Sequence, residues 1–367
     1  MEVSQGDGRF TFPNRRVVMK KQRGEQGGEV RWPRKNVFCT ARILGSGSFS
    51  SVFEGTFFDR PAAIKVHRAE AKFTEYAAPE EAAVLKRLHH PNICELLAAF
   101  NSTNHEMPVV YVIVMPRYGE NLYKRMQRYR LEDECVPDQD AIVLALLDAV
   151  EYLDEERVVH MDIKPENVVF KDDSTPVLID FNTYFDLRKG DEEVLLSHPV
   201  APYMVTRLYR SPTLLLGAKN WIPAAQMMWP VAVIAFEMAR WGKPPWPGKN
   251  NLHMAHLIEH DLQAFKGQMP ECIYPFKWRK ISSGPVPADD LPFYDPTIHR
   301  PILDILLEHV FVWHDKDRAS ATEVKRIFAE ETKSKEPTQQ KDDAGGAGGD
   351  DPSSAPGPKP SVDNCAV

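Results

Sequence analysis

In His160-Met161-Asp162-Ile163-Lys164-Pro165-Glu166-Asn167, a carboxylate is followed by an ammonium two positions on and a carboxamide five positions on. A second carboxylate, Asp180 in Asp180-Phe181-Asn182, comes 18 residues after the first (180 − 162 = 18). These residue types suit phosphoryl transfer, which asks a protein for little covalent chemistry but for much positioning and charge neutralisation. A carboxylate must orient the attacking hydroxyl, a cation must sit near the moving phosphate, and oxygen ligands must hold a hard cation. Asp162, Lys164 and the pair Asn167 and Asp180 supply those types in that order. Apolar runs flank them: Arg157-Val158-Val159 before, Val168-Val169-Phe170 and Val177-Leu178-Ile179 after.

This ordered set resembles the catalytic loop and the metal-binding loop of protein kinases. The resemblance implies ATP and Mg2+ as cofactors, Asp162 and Lys164 as catalytic residues, and Asn167 and Asp180 as metal ligands. Upstream, Leu44-Gly45-Ser46-Gly47-Ser48-Phe49-Ser50-Ser51-Val52 reads as a glycine-rich strand–turn–strand, although a plain Gly/Ser hairpin would read the same. Amides approach phosphates closely only where Cβ atoms are absent, and Ser50 replaces the third expected Gly. Ala62-Ala63-Ile64-Lys65-Val66 places an ammonium in an apolar strand, where it needs a partner. Glu81 is the candidate partner and joins the catalytic set; the bland alternative is a surface lysine on an edge strand. Pro79 suits a first helical turn, so the helix carrying Glu81 is expected to be short or kinked at its start. By the same resemblance, the ATP-binding residues are Leu44, Gly45, Gly47, Val52, Ala63, Lys65, Met115, Arg117 and Val169, with Met115 as gatekeeper. The apolar members would also be core.

Two groups of elements must position these residues. Short β-rich runs dominate from Val37 to Val114 (Phe49–Phe53, Ala62–Val66, Val109–Val114), interrupted by a helical segment, Glu80–Leu88. Helical patterns such as Ala141–Leu153 and Val231–Arg240 dominate after Tyr118. The expectation is an α+β, bilobal kinase fold. It has a small β-rich N-lobe (about 37–116), a larger, mainly helical C-lobe (about 117–331) and a hinge near Pro116–Tyr118. Residues 1–36, with Arg15, Arg16, Lys20, Lys21 and Arg23, are expected as a basic flexible extension. Residues 332–367, rich in Gly, Pro and Ser, are expected as a disordered tail.

The chain has 367 residues, enough for two lobes with a sizeable core. A net charge of −7 argues against bulk electrostatic binding of nucleic acid, and no direct nucleic-acid contact is expected. The five cysteines (Cys39, Cys94, Cys135, Cys272, Cys365) are odd in number and widely spaced, which fits reduced thiols better than disulfides. No apolar run approaches the roughly 18 residues of a membrane helix, and the N-terminus lacks a secretory core. A monomer in nucleus or cytoplasm is expected, neither secreted nor membrane-spanning.

The resemblance narrows in two places. Ala201-Pro202-Tyr203-Met204-Val205-Thr206-Arg207-Leu208-Tyr209-Arg210-Ser211-Pro212 is similar to the end of the activation segment of CMGC kinases, and Trp246–Met254 to the start of their insert. Phe49-Ser50-Ser51-Val52, Ala201–Val205, Gly248-Lys249-Asn250 and His253-Met254 bring it nearest to the pre-mRNA-processing splicing kinases of the DYRK branch. That family also lacks Arg at the position of Met161. The resemblance implies a serine/threonine kinase acting on protein substrates, spliceosomal ones among them. It further implies autophosphorylation of Tyr203, with Arg207 and Arg210 as phosphate ligands and Thr206 bonded to Asp162 or Lys164.

Besides Ser50, four further positions depart from the family pattern. Asn182 replaces a Gly, with left-handed backbone tolerated better by Asn than by most residues. Thr213 replaces a Glu that would pair with Arg318, which must then find water or another acceptor. Met227 replaces an Asp that would accept backbone N–H groups of the catalytic loop, and Ala232 replaces a Gly. These changes keep open a catalytically weak or inactive pseudokinase scaffold that binds nucleotide and regulates a partner. Retention of Lys65, Glu81, Asp162, Lys164, Asn167 and Asp180 favours the enzyme. A small-molecule kinase fits less well with the Thr206–Pro212 segment and the 246–254 insert.

Overall fold

The computed structural model describes residues 30–32, 35–47, 50–67, 74–104, 107–132, 134, 136–189, 205–217, 221–266 and 300–333. Most of the N-terminal extension, nearly all of the tail, and Ala201, Tyr203 and Met204 lie outside these residues. The chain divides into two compact units, Met1–Arg87 with Glu95–Arg117, and Leu88–Cys94 with Tyr118–Val367.

The first unit is built on an antiparallel sheet of six strands: β1 (Val30–Trp32), β2 (Val37–Ser46), β3 (Ser50–Phe57), β4 (Arg60–His67), β5 (Ala98–Asn104) and β6 (Met107–Pro116). The spatial order is β1-β2-β3-β4-β6-β5. β1 falls inside the stretch expected as a flexible extension; Val30 pairs with Cys39 and Trp32 with Val37. Alternation of side chains puts Val37, Cys39, Phe53, Ala62, Ile64, Val112 and Val114 into one buried cluster with Phe100. Gly55 is required where β2 crosses it, because a Cβ there would lie 2.2 Å from the Phe38 carbonyl oxygen. Helix α1 (Thr74–Arg87) starts five residues before Pro79 (79 − 74 = 5), so Pro79 lies inside it and not in its first turn. Ala78, Ala82 and Leu85, at helical spacing, form its buried stripe.

The second unit contains α2 (Leu122–Leu131), α3 (Gln139–Glu155), β7 (Val158–His160), β8 (Val168–Phe170), β9 (Pro176–Leu178), β10 (Tyr184–Asp186), α4 (Pro212–Leu215), α5 (Pro223–Ala239), α6 (Asn251–Lys266), α7 (Pro301–His309) and α8 (Ala321–Lys333). α5 is its central element: every residue from Ala225 to Met238 is buried. A helix apolar all round belongs inside a core, and Trp229 and Phe236 of α5 meet Phe311 at ring separations of 4.9 and 5.0 Å. β7 pairs with β10, and β8 with β9. The loop between β7 and β8 and the one after β9 therefore spring from short, buried strands. Among the described residues no helix is long and apolar enough to cross a membrane.

Candidate active site

Polar side chains gather into two constellations, one in each unit. In the first, β4 aligns Lys65 with Val52 of β3 and Ile113 of β6, at the centre of the sheet. Its Nζ donates to both carboxylate oxygens of Glu81, at 2.6 and 2.8 Å, with side chains only 4 % and 1 % exposed. Lys65 is thus central and buried, not an edge lysine. Sequence reasoning missed a third member, His67, whose Nε2 lies 3.4 Å from Glu81 Oε2 without being aligned for a hydrogen bond. The signal was available, since residues i and i+2 of a strand share a face. Ala63 pairs with Met115, and Leu44 and Val52 are half-buried. The Gly47 N–H donates to the Ser50 carbonyl at 2.9 Å, closing the turn between β2 and β3, and a Cβ on Gly45 would meet nothing within 4 Å. The Arg117 guanidinium is ion-paired with Glu54, which also receives Arg42 at 3.2 Å.

In the second unit, Asp162 follows β7 and is 9 % exposed. Thr206 donates its hydroxyl to Oδ1 at 2.6 Å and its backbone N–H to the same atom at 3.2 Å. The Lys164 ammonium is paired with Oδ2 and donates to the Thr206 hydroxyl at 3.2 Å. Thr206 thus touches both candidates read for it. Asn167 closes the 3-10 turn Pro165–Asn167, and its Nδ2 donates to the Asp162 carbonyl at 2.8 Å and to Oδ2 at 3.2 Å. With its nitrogen so committed, the amide oxygen of Asn167 is the atom left for a cation. Val169, on β8, is 7 % exposed and pairs with Val177.

His160 supports this loop in a neutral form. Its Nδ1 accepts the Asp162 N–H at 3.1 Å, which leaves Nε2 to donate to the Ile179 carbonyl at 3.2 Å. Burial pulls its pKa down, against the opposing pull of Asp162 and Asp180. The ring stands edge-on to Phe181 at 4.7 Å, tying the Asp162 and Asp180 loops together.

Three departures resolve in unexpected ways. Asp180, not Asn182, takes the left-handed backbone, with φ +69°. Asn182 is absent from the left-handed positions among the described residues, so no conformational demand for Gly falls there. Met227 does serve as an acceptor: the His160 backbone N–H points at its Sδ from 3.4 Å. A thioether keeps a weak acceptor capacity, so the replacement of Asp by Met does not leave this N–H unanswered. Arg318 finds its acceptor three residues earlier, in Asp315, at 2.9 Å.

Two further groups escaped sequence reasoning. Tyr209 donates its hydroxyl to Glu237 of α5 at 2.8 Å. Burial pushes the Glu237 carboxyl up to about 7, with the Tyr209 bond opposing and Glu166 adding to the rise. Arg210, read as a phosphate ligand, is buried and donates to the Val205 carbonyl at 2.8 Å and to Asn251 Oδ1 at 3.0 Å. Arg207 is exposed.

Among the described residues no group of three or more His, Cys, Asp or Glu could hold a metal. A cation such as Mg2+ typically binds through one or two protein oxygens plus phosphates and water and not in an all-protein cage. Asn167 and Asp180 offer the two hard oxygen donors such a cation needs.

A sheet-based unit with a buried Lys–Glu pair and a helical unit with this carboxylate loop together make the α+β architecture of the bilobal protein kinase fold. The family model described as "Protein kinase domain" matches residues 38–327, and the chain belongs to that family. It is similar to the protein kinase gsk3 of Schizosaccharomyces pombe, 25 % identical over 65 % of this chain and 59 % of that protein. It is 29 % identical to the protein kinase gsk31 of the same organism, over 59 % of this chain and 55 % of the relative. It is also 27 % identical to a calcium/calmodulin-dependent protein kinase type 1 of Macrobrachium nipponense, over 69 % of this chain and 71 % of that protein. The chain thus spans less than two thirds of the length of the two gsk relatives. The gsk likeness agrees with the CMGC group at large and does not single out the DYRK branch.

Proposed function

We propose that this protein is an ATP- and Mg2+-dependent kinase that phosphorylates serine and threonine hydroxyls of protein substrates. The observation that supports it best is the Asp162 carboxylate, held by Thr206 on one oxygen and by Lys164 on the other. ATP with its cation supplies the transferable γ-phosphoryl group and neutralises its charge. Asp162 orients the acceptor hydroxyl and takes up its proton. Its lone pairs are fully occupied by Thr206, Lys164 and Asn167, so a lone pair must open first. Lys164 opens one by moving its ammonium from Oδ2 to phosphate charge. Asn167 and Asp180 are the metal ligands, and Lys65 is the cation for the α/β-phosphates, kept in place by Glu81. Leu44, Val52, Ala63, Met115 and Val169 contribute apolar surface for the adenine, with Gly45 and Gly47 near the phosphates.

The finer reading rests on local motifs. Phe49–Val52, Ala201–Val205 and Gly248–Met254 support a splicing-kinase-like enzyme with spliceosomal substrates, working as a monomer in the nucleus. Tyr203 is its autophosphorylation site, and exposed Arg207 is the better placed phosphate ligand because Arg210 is already engaged.

The test is phosphoryl transfer from Mg-ATP to an array of peptides, including splicing-factor sequences, beside a metabolite panel, with products mapped by mass spectrometry. Wild type should label Ser and Thr peptides and Tyr203, while Asp180→Asn should not. Nucleotide-dependent stabilisation without any transfer would replace this reading with the scaffold. That second reading draws on Met227, a weaker acceptor for the catalytic loop than a carboxylate.

A further inference from the structure

A buried guanidinium without an acceptor is a costly defect, and Thr213 stands where the partner of Arg318 was expected. The structure supplies the carboxylate from another place. Asp315 lies in the 3-10 turn Asp315–Asp317 and is 7 % exposed, and the Arg318 side chain is fully buried. Asp315 Oδ1 accepts the Thr213 hydroxyl at 2.7 Å and pairs with Arg318 Nη1 at 2.9 Å. Its Oδ2 accepts the side-chain amide of Gln226 and the backbone N–H of Ile222, the latter at 3.3 Å. All four acceptor directions of the carboxylate are therefore used. Gln226 in turn accepts the Ser211 hydroxyl at 2.6 Å, so the segment end is tied twice. Arg318 continues the tie to the Ala225 carbonyl at 2.9 Å and the Val310 carbonyl at 3.2 Å.

The other end of the same segment is Thr206, bonded to Asp162. Between the ends, Arg210 reaches back to the Val205 carbonyl, which stiffens the stretch. The segment is thus held between two carboxylates, one in the candidate catalytic loop and one buried beneath α5.

We infer that Asp315 is a positioning residue: it anchors the Thr206–Thr213 segment to α5 and Arg318 and so holds the Thr206 hydroxyl on Asp162. The charge expected at position 213 has moved to position 315, and position 213 keeps only a hydroxyl to meet it. This inference rests on the kinase reading for its catalytic consequence, but not for the anchor itself.

The test compares wild type with Asp315→Ala, Asp315→Asn, Thr213→Glu and the double variant Thr213→Glu/Asp315→Ala. The readouts are kcat and KM for acceptor peptide and ATP, and hydrogen exchange across residues 205–217. Asp315→Ala should lose at least about 10-fold in kcat, the equivalent of one charge-assisted hydrogen bond, with KM for ATP unchanged and faster exchange in the segment. Thr213→Glu alone should also be impaired, because two carboxylates then face each other. The double variant should recover most of the loss, since the new carboxylate meets Arg318 from the segment side. Asp315→Asn keeps the shape and guards against a variant that merely fails to fold; it should show an intermediate loss. Wild-type kinetics and exchange in Asp315→Asn, or a double variant no better than Asp315→Ala, would overturn the inference. Absence of transfer by wild type would sink the kinase reading instead. Exchange in Asp315→Asn would then decide alone, faster exchange supporting the anchor and unchanged exchange overturning it.

Discussion

The backbone N–H of His160 is directed at the sulphur of Met227, 3.4 Å away, with both residues almost wholly buried. The contact fastens the end of β7, and with it the loop that carries Asp162, to the central helix α5. A thioether is a weak acceptor, yet the alternative for a buried N–H is no acceptor at all. Met227→Leu keeps the volume and removes the sulphur. It should cost about 1–2 kcal/mol in urea denaturation, more than Met228→Leu one position on in the same helix. Equal costs would show that the sulphur contributes nothing.

Lys65 and Glu81 should behave as a unit. Removing one partner of a buried ion pair leaves an uncompensated charge and costs about 3–5 kcal/mol, whereas replacing both by apolar groups is often nearly neutral. Lys65→Met should therefore destabilise the protein strongly, Lys65→Met/Glu81→Leu much less, and both should abolish transfer. A double variant as unstable as the single one would mean that packing, and not charge, dominates at this position.

Glu237 makes stability depend on pH. Its carboxyl is pushed from the ordinary 4.5 up to about 7, so between those values the folded state binds more protons than the unfolded one. Stability from this group is complete below about 4.5 and is lost as pH rises through about 7, by about 3 kcal/mol in all. Thermal melts from pH 5 to 8 should show that decline in wild type and a flatter profile in Glu237→Gln. Identical slopes would place the dependence elsewhere.

The Thr206 hydroxyl bridges Asp162 and Lys164, so its loss should be read in catalysis before stability. Thr206→Ala should lower kcat by about 10- to 100-fold, the range for a hydrogen bond to a charged group, while Thr206→Ser retains most of the rate. Because the residue is only half-buried, melting temperatures should barely move. A serine variant as slow as the alanine variant would point to packing of the Thr methyl instead.

Much of the fold was legible because its signals are local. The short apolar run Ala62–Val66 marked a strand whose lysine needed a partner, and the pattern through Val231–Arg240 marked a helix. Boundaries were less legible. α1 extends five residues ahead of Pro79 (79 − 74 = 5), since a missing N–H costs a helix one bond and not its existence. Val30–Trp32 became a strand only because β2 offered it an edge. His67 was within reach of sequence reasoning, two residues from Lys65 on the same strand face. Asp315 was not, because nothing in a sequence shows that residues 213 and 315, separated by 102 positions, share a hydrogen bond.

The sequence by itself determined which residue types stand at which spacing: Asp162, Lys164, Asn167 and Asp180, with Lys65 and Glu81 upstream. Spacing along a chain is covalent, and turns and strands translate it directly into local geometry. Only the tertiary structure decided which acceptors answer the departures. Met227 meets the His160 N–H, Asp315 meets Arg318 and Thr213, and Asp180 takes the left-handed backbone in place of Asn182. Those outcomes depend on burial. Inside a core a polar group left without a partner is costly, and the partner it finds is chosen by proximity in space and not by order in the chain.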